Sequence, residues 1–116
     1  MGTRWVTRPR WRVRGEDEIA LGPGKADLLR AIDQQRSISQ AARSLGMSYR
    51  RAWSLVDTMN RCFRRPLVET AAWRGGGSVL TPAGRRALDL YRRIEAESLR
   101  ATREDRRRLH RLLGPP

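Results

Sequence analysis

A stretch of 17 residues in the middle of the chain, residues 37–53, limits the possible folds more than any other part. It contains two segments with helical spacing of apolar residues, and only a few residues separate them. Two helices joined by three or four residues must cross closely, so they need small side chains at the crossing and a glycine at the turn. Ala41 and Ala42 supply the small side chains, and Gly46 supplies the glycine. This spacing predicts a helix-turn-helix.

Apolar periodicity predicts three helices in the centre of the chain. The first runs from Lys25 to about Gln35. Ser39 is the predicted N-cap of a second, short helix, and Ser48 is the predicted N-cap of a third helix that ends near Phe63. The predicted core consists of Leu28, Leu29, Ile32, Ile38, Ala41, Ala42, Leu45, Trp53, Val56, Met59, Leu67 and Leu80.

Two β-hairpins and a long helix are predicted around these three helices. Apolar and polar residues alternate between positions 11 and 21, which predicts a half-buried hairpin after a frayed arm at residues 1–9. A second hairpin is predicted around the glycines at 75–77, and Thr81 and Pro82 supply the cap and first-turn proline of a long helix. The predicted class is mainly α (α+β in detail). Its parts are a basic arm and β-hairpin (1–24), a winged helix-turn-helix core (25–81) and a long C-terminal helix (82–116).

The charge of the chain indicates a polyanionic partner. The sequence has 25 basic residues and 12 acidic ones, which gives a formal net charge of +13. An excess of this size in so small a domain is typical of nucleic-acid-binding proteins. A GC-rich genome would explain why Lys25 is the only lysine, but it would not explain the net charge.

The predicted DNA-binding residues lie on the helix-turn-helix and on the second hairpin. In this motif the N-terminal end of the second helix enters the major groove, where arginine can bind guanine through two parallel hydrogen bonds. The glycine-rich hairpin matches a wing on phosphates or the minor groove. A nucleotide-binding loop is disfavoured, because no lysine followed by serine or threonine comes after it. The predicted DNA-binding residues are Ser39, Gln40, Ser48, Tyr49, Arg50, Arg51, Arg74, Gly75, Gly76 and Gly77, and stacking of Trp73 on a base stays open.

The long C-terminal helix is the basis for a predicted homodimer. A helix from Pro82 to Leu113 would be about 48 Å long, which is more than a domain of this size can cover. Leu88, Tyr91 and Ile94 form an apolar stripe, and a second copy is its simplest cover. The alternative is that the stripe packs on the first helix of its own chain.

The sequence offers no recognisable catalytic or metal-binding set. Cys62 is the only cysteine and His110 is the only histidine, so no disulfide, no zinc site and no Ser-His-Asp set is expected. No apolar run reaches the roughly 18 residues of a membrane span, and no signal peptide is visible. We therefore expect a cytoplasmic, nucleoid-associated protein that is not an enzyme and has no cofactor and no identifiable small-molecule effector site. Cys62 is expected to be a partly buried hydrophobic residue, with a redox-sensing thiolate as the alternative.

Residues 25–95 resemble the N-terminal domain of ModE-type molybdenum-dependent regulators, which is related to the LysR-type DNA-binding domain. The matching stretches are SISQAA (37–42), MSYRRAW (47–53), DTMN (57–60), LVE (67–69) and GGGSVLTPAG (75–84). The resemblance implies a dimer, a palindromic operator and regulation of nearby genes, with residues 48–51 at the recognition surface and a wing around Gly76. ModE proteins carry oxyanion-binding domains after the long helix, whereas this chain ends at Pro116. A stand-alone DNA-binding form without molybdate sensing is therefore expected.

The predicted function is sequence-specific binding of double-stranded DNA by a bacterial transcription regulator, with a homodimer on a palindromic operator. The alternative is a nucleoid-type basic protein that binds nucleic acid without reading its sequence. The ordered turn and wing favour the first function, because a protein that binds through charge alone needs neither.

Overall fold

The computed structural model describes residues 4–71 and 77–115. The described residues form two two-stranded antiparallel sheets, β1 with β2 and β3 with β4, and five helices. The mainly α class with a winged helix-turn-helix is thereby confirmed. The elements are β1 (Val13–Arg14), β2 (Ile19–Leu21), α1 (Pro23–Gln35), α2 (Ile38–Ser44), α3 (Tyr49–Cys62), β3 (Val68–Ala71), β4 (Gly77–Leu80), α4 (Pro82–Ala101) and α5 (Arg103–Arg111).

Hydroxyl side chains cap three of the helices. Ser48 at the start of α3 and Thr81 at the start of α4 each accept a hydrogen bond from the backbone N–H three residues later, at 3.1 and 3.0 Å, as predicted. The prediction of Ser39 as the cap of α2 was wrong. Ser37 has the extended backbone of an N-cap and accepts the hydrogen bond from the Gln40 N–H. The helix begins two residues early because Ile38 is buried as its first residue.

Two described residues have a left-handed backbone. Gly46 has φ of 68° in the turn between α2 and α3, as the sequence predicted. Arg36 has φ of 56° and ψ of 33°, and its N–H donates to the Ile32 carbonyl at 2.7 Å, which ends α1. Glycine adopts this backbone at little cost, whereas a residue with a Cβ is strained there.

The core lies between α1, α2, α3, the base of the second hairpin and the first half of α4. Its largest fully buried side chains are Leu28, Leu29, Ile32, Val56, Met59 and Leu67. Three predicted core residues are not buried: Leu45 and Trp53 are each 36% exposed, and Leu80 is partly buried. On α3 the buried stripe is Ala52, Val56 and Met59, and Trp53 lies one position beside it. Neighbouring helix positions differ by about 100°, so the indole turns away from the core.

The predicted continuous C-terminal helix is interrupted at Thr102, where α4 ends and α5 begins. The Thr102 hydroxyl donates to the Ser98 carbonyl at 2.6 Å, a type of bond that bends helices. Glu104 and Asp105 then occupy the first turn of α5, where acidic residues favour a new helix start.

Among the residues that the structure describes, none of the helices is long and apolar enough to cross a membrane.

The prediction of a frayed N-terminal arm was wrong over its described part, residues 4–9. Trp5 Nε1 donates to the Gly114 carbonyl at 2.7 Å, and Thr7 Oγ1 lies 2.7 Å from His110 Nε2. Trp11 is also more exposed than a half-buried strand would make it, and its Nε1 donates to Ser98 Oγ. The arm therefore follows α4 and α5 through polar contacts.

Candidate DNA-binding surface

The tight turn between α2 and α3 fixes the position of α3, which is the predicted recognition helix. Small residues let the helices approach, because Ala41, Ala42 and Ala52 are all buried where the helices meet. The Met47 N–H donates to the Ala42 carbonyl at 3.0 Å and closes the turn around Gly46. The packing leaves the first turn of α3 on the outside of the domain.

The first turn of α3 carries exposed cationic and aromatic side chains. Arg50 and Arg51 are exposed, and neither guanidinium has an ion pair or hydrogen bond among the described residues. The Ser48 oxygen accepts the capping bond, so its hydroxyl hydrogen can still be donated. Tyr49 is exposed and meets Trp53 edge to face, with ring centroids 6.2 Å apart and planes at 75°. This end of the helix offers several hydrogen-bond donors to an anionic or acceptor-rich partner.

A cleft of about 220 Å³ joins the start of α2, the start of α3 and the second hairpin. It brings together two of the predicted helix residues, Ser39 and Tyr49, with Gly77 of the hairpin. Gln40 is exposed one residue further along α2. The residues lining the cleft are Ser37, Ile38, Ser39, Tyr49, Trp53, Thr70, Gly77 and Ser78.

The hairpin of β3 and β4 is anchored to the end of α1. The strands pair in register from Val68 opposite Leu80 to Ala71 opposite Gly77. The Ser78 N–H donates to the Arg36 carbonyl at 3.1 Å, and a Cβ at position 77 would lie 3.1 Å from the same oxygen. Gly77 therefore has a packing reason to be glycine. The predicted wing residues Arg74, Gly75 and Gly76, and Trp73 beside them, lie outside the described residues.

Asn60 connects the recognition helix to this hairpin, and sequence reasoning missed it. Its Oδ1 accepts hydrogen bonds from the N–H groups of Leu67 and Val68, at 2.8 and 3.2 Å. Its Nδ2 donates to the Val68 carbonyl at 3.0 Å. One side chain thus satisfies three backbone groups at the start of β3. The available signal was an asparagine inside the helical pattern, where it has low helix propensity.

The opposite end of α3 carries Cys62, which is exposed rather than partly buried as predicted. Its Sγ donates to the Glu18 carboxylate at 3.4 Å, and Arg61 forms an ion pair with that carboxylate at 2.9 Å. Desolvation first, and then the hydrogen bond to Glu18, raise the pKa of the Cys62 thiol above its usual value. A raised pKa disfavours the reactive thiolate, so the environment of Cys62 gives no support to the alternative of a redox-sensing thiolate.

Within residues 4–71 and 77–115, no cluster of histidine, cysteine and carboxylate side chains could hold a metal ion.

The predicted dimerisation stripe is divided by the packing of α4. Leu88 and Tyr91 are each only 3% exposed, and the Tyr91 hydroxyl donates to the Trp11 carbonyl at 2.8 Å. Their own chain covers these two residues, so for them the alternative to a dimer, packing of the stripe within one chain, holds. Ile94 is 49% exposed and Leu90, one turn earlier, is 45% exposed. The uncovered apolar face of α4 therefore contains Leu90 and Ile94.

A tight helical turn, an exposed recognition helix and a two-stranded hairpin behind it define a winged helix-turn-helix domain, the class found in DNA-binding regulators of transcription. Residues 25–85 match the family described as bacterial regulatory helix-turn-helix protein, lysR family. The chain belongs to that family.

The relatives confirm the resemblance to ModE-type regulators. The chain is 39% identical to the molybdenum transport protein ModE of Azotobacter vinelandii over 97 residues, which cover 82% of this chain and 36% of the relative. It is 45% identical to the molybdenum-pterin-binding protein MopB of Rhodobacter capsulatus over 78 residues, 66% of this chain and 29% of the relative. It is 38% identical to the DNA-binding transcriptional dual regulator ModE of Escherichia coli K12, over 66% of this chain and 30% of the relative. The chain thus spans about a third of the length of these relatives.

Proposed function

We propose that the domain binds double-stranded DNA sequence-selectively and thereby regulates transcription. In this proposal the first turn of α3 enters the major groove, and the hairpin contacts the backbone beside it. The observation that carries the proposal is the pair of unpartnered guanidiniums of Arg50 and Arg51 on that turn, among the residues that the structure describes. Ala41 and Ala42 are buried behind the turn and let α3 pack closely on α2, and both arginines are exposed on the outside of this packing.

The residues of α3 have different roles in this proposal. Arg50 and Arg51 bind base edges, because a guanidinium matches the two acceptors of guanine in the major groove. Ser48 and Tyr49 donate hydroxyl hydrogen bonds to bases or phosphates. The edge-to-face contact with Trp53 restricts the Tyr49 ring, so its hydroxyl is directed before DNA arrives.

The remaining predicted residues would fix the register of the protein on the duplex. Ser39 and Gln40 are exposed on α2 beside the cleft and would donate to phosphate oxygens. Arg74 would supply a charge at the wing, and the glycines at 75–77 would let the backbone approach the DNA closely. We propose a cytoplasmic, nucleoid-associated location, because the DNA is there, and no catalytic role.

We further propose a homodimer on a palindromic operator, formed through the outer face of α4. Leu90 and Ile94 are a turn apart and roughly half exposed, so a second copy would remove both from water. Arg93 and Glu97 lie beside this stripe. A two-fold axis between antiparallel α4 helices would place Arg93 of each copy near Glu97 of the other. To bind a palindromic operator, such a dimer would need its two recognition helices about 34–36 Å apart, one turn of DNA.

Selection of binding sites from random duplexes tests both proposals. We expect enrichment of a two-fold symmetric sequence with half-sites one helical turn apart. Sedimentation of the wild type should give a dimer, and the double variant L90E/I94E should give a monomer. L112E, which changes an exposed leucine after α5, is the matched control and should stay dimeric. A monomeric wild type that binds one half-site tightly would contradict the dimer, and recovery of no common sequence would contradict selective binding.

One observation favours the alternative of charge-driven binding. Ten of the 25 basic residues, but only two of the 12 acidic ones, lie in residues 4–14 and 102–115, outside the helix-turn-helix. Contacts from these residues would be sequence-independent. Competition decides between the functions, since selective binding to the enriched site survives an excess of random duplex and charge-driven binding does not.

A further inference from the structure

Arg36 has a left-handed backbone conformation, which glycine would adopt more easily. Among the described residues it is the only non-glycine residue with a positive φ, at 56°. Helices commonly end on a left-handed glycine, because that residue has no Cβ to strain. A strained residue that persists is a reason to look for a function.

Backbone contacts fix Arg36 at the junction of α1, α2 and the wing. Its N–H closes α1 on Ile32, and its carbonyl accepts the Ser78 N–H of β4. The next residue, Ser37, caps α2 and lines the cleft that Tyr49 also lines. The backbone of Arg36 is therefore fixed at the edge of the cleft that lies between the recognition helix and the hairpin.

The guanidinium of Arg36 is available to a ligand. The residue is exposed, and its side chain makes no ion pair or hydrogen bond within the described part of the chain. Arg30, earlier in the chain, is also exposed but forms an ion pair with Asp27 at 3.2 Å. Both arginines carry a positive charge, but only Arg30, within α1, is neutralised by an ion pair, whereas Arg36 follows the helix and is next to Ser37 of the cleft.

We propose that Arg36 is a phosphate-binding residue, held beside the recognition helix by the left-handed turn at a cost in stability. This inference rests on the proposed function. The ligand is a phosphate of the DNA backbone, which a guanidinium binds through two charge-assisted hydrogen bonds. The same turn fixes β4 through the Arg36 carbonyl, so the wing and this phosphate contact share one anchor.

Three variants test the inference: R36G, which removes both the charge and the strain; R36A, which removes the charge but keeps a Cβ; and R30Q, the matched charge control. DNA affinity is measured on a 30-bp duplex of mixed sequence, because a phosphate contact is independent of sequence. At about 0.1 M salt, R36G and R36A should each bind about 5–10-fold more weakly than the wild type. The slope of log affinity against log salt should become shallower by about 0.9 in both, while R30Q changes little.

Thermal unfolding supplies the second readout. R36G should melt about 3 °C or more above R36A, because only glycine relieves the left-handed backbone. Binding and salt slope of R36G and R36A equal to those of R30Q would overturn the inference and leave the proposed function intact. Equal melting temperatures of R36G and R36A would overturn the claim of a cost in stability. If the wild type itself does not bind the duplex, the proposed function fails, and this inference fails with it.

Discussion

The winged helix-turn-helix is stabilised by different interactions from those that stabilise the extension formed by the arm and α5. Every buried hydrophobic residue of the described chain lies between Leu21 and Tyr91. Beyond that point the described residues of α5 are exposed or half-exposed, and hydrogen bonds tie the arm to them. Burial of apolar surface is the main source of folding free energy, whereas exposed polar contacts contribute little. The comparison teaches that the first region is a folded unit and the second is attached to it.

The largest expected effect is at Gly84, where α4 starts against the loop before β3. A Cβ there would overlap the Leu67 carbonyl oxygen, which already accepts the Thr81 N–H at 2.9 Å. Neither backbone can move without breaking this anchor, so G84A should lose about 3 kcal/mol or fail to fold. G114A is the control in the extension, where a Cβ meets nothing within 4 Å. Urea unfolding measures both, and equal stability of the two variants would contradict the comparison.

A smaller effect is expected at the recognition helix, and it concerns binding rather than folding. R50A should weaken binding to the selected site by about 1–3 kcal/mol and relax the preference at one base pair. R111A, in the extension, should weaken binding to selected and random duplexes equally, since a phosphate contact reads no sequence. Titration of both variants against both duplexes measures this. If R50A behaves as R111A does, Arg50 is a phosphate contact.

The bond between Tyr91 and Trp11, two residues after the arm, lies at the boundary of the two regions. Y91F removes the hydroxyl that binds the Trp11 carbonyl and should cost about 1 kcal/mol near neutral pH. Burial of the hydroxyl raises the pKa of Tyr91, so the folded state holds this proton more tightly than the unfolded state. Below about pH 10, the ordinary pKa of tyrosine, this contribution to stability is fully present. As the pH rises above that value, the wild type should lose it. Y91F should lose less, and urea midpoints at pH 8 and 10.5 that fall equally in both proteins would contradict this.

The smallest effect is expected within the extension. T7A removes the contact with His110, but both groups are at most half-buried, so the free energy of unfolding should change by about 0.5 kcal/mol or less. DNA affinity at pH 8 should not change, because Thr7 carries no charge and the substitution leaves every basic residue of the chain in place. Calorimetry and titration at that pH check the two statements. A loss larger than that of Y91F would mean that the extension belongs to the folded unit.

The sequence predicted the features that depend on local chemistry. Ser48 and Thr81 are caps because hydroxyls there reach N–H groups three residues away. Gly46 is left-handed because a turn of this length requires it.

The features that the sequence did not predict depend on distant residues or on competing local signals. Trp11 and Ser98 are bonded across 87 positions, so nothing in the sequence near Trp11 indicates which residue it contacts. Periodicity gave α3 an apolar stripe but could not separate Trp53 from Ala52, which differ by one position. At Thr102 a hydroxyl that bonds backward and acidic residues that favour a new helix act together, and the apolar spacing records neither.

The three hydrogen bonds of Asn60 affect the thermodynamics of binding. They join the recognition helix to the start of β3, so the described part of the hairpin has a fixed position relative to α3 before any ligand is present. The entropy of aligning these two elements is then lost when the chain folds, and association need not reduce it again. A duplex would meet a pre-organised pair of contacts, and most of the binding free energy from those contacts would appear as affinity.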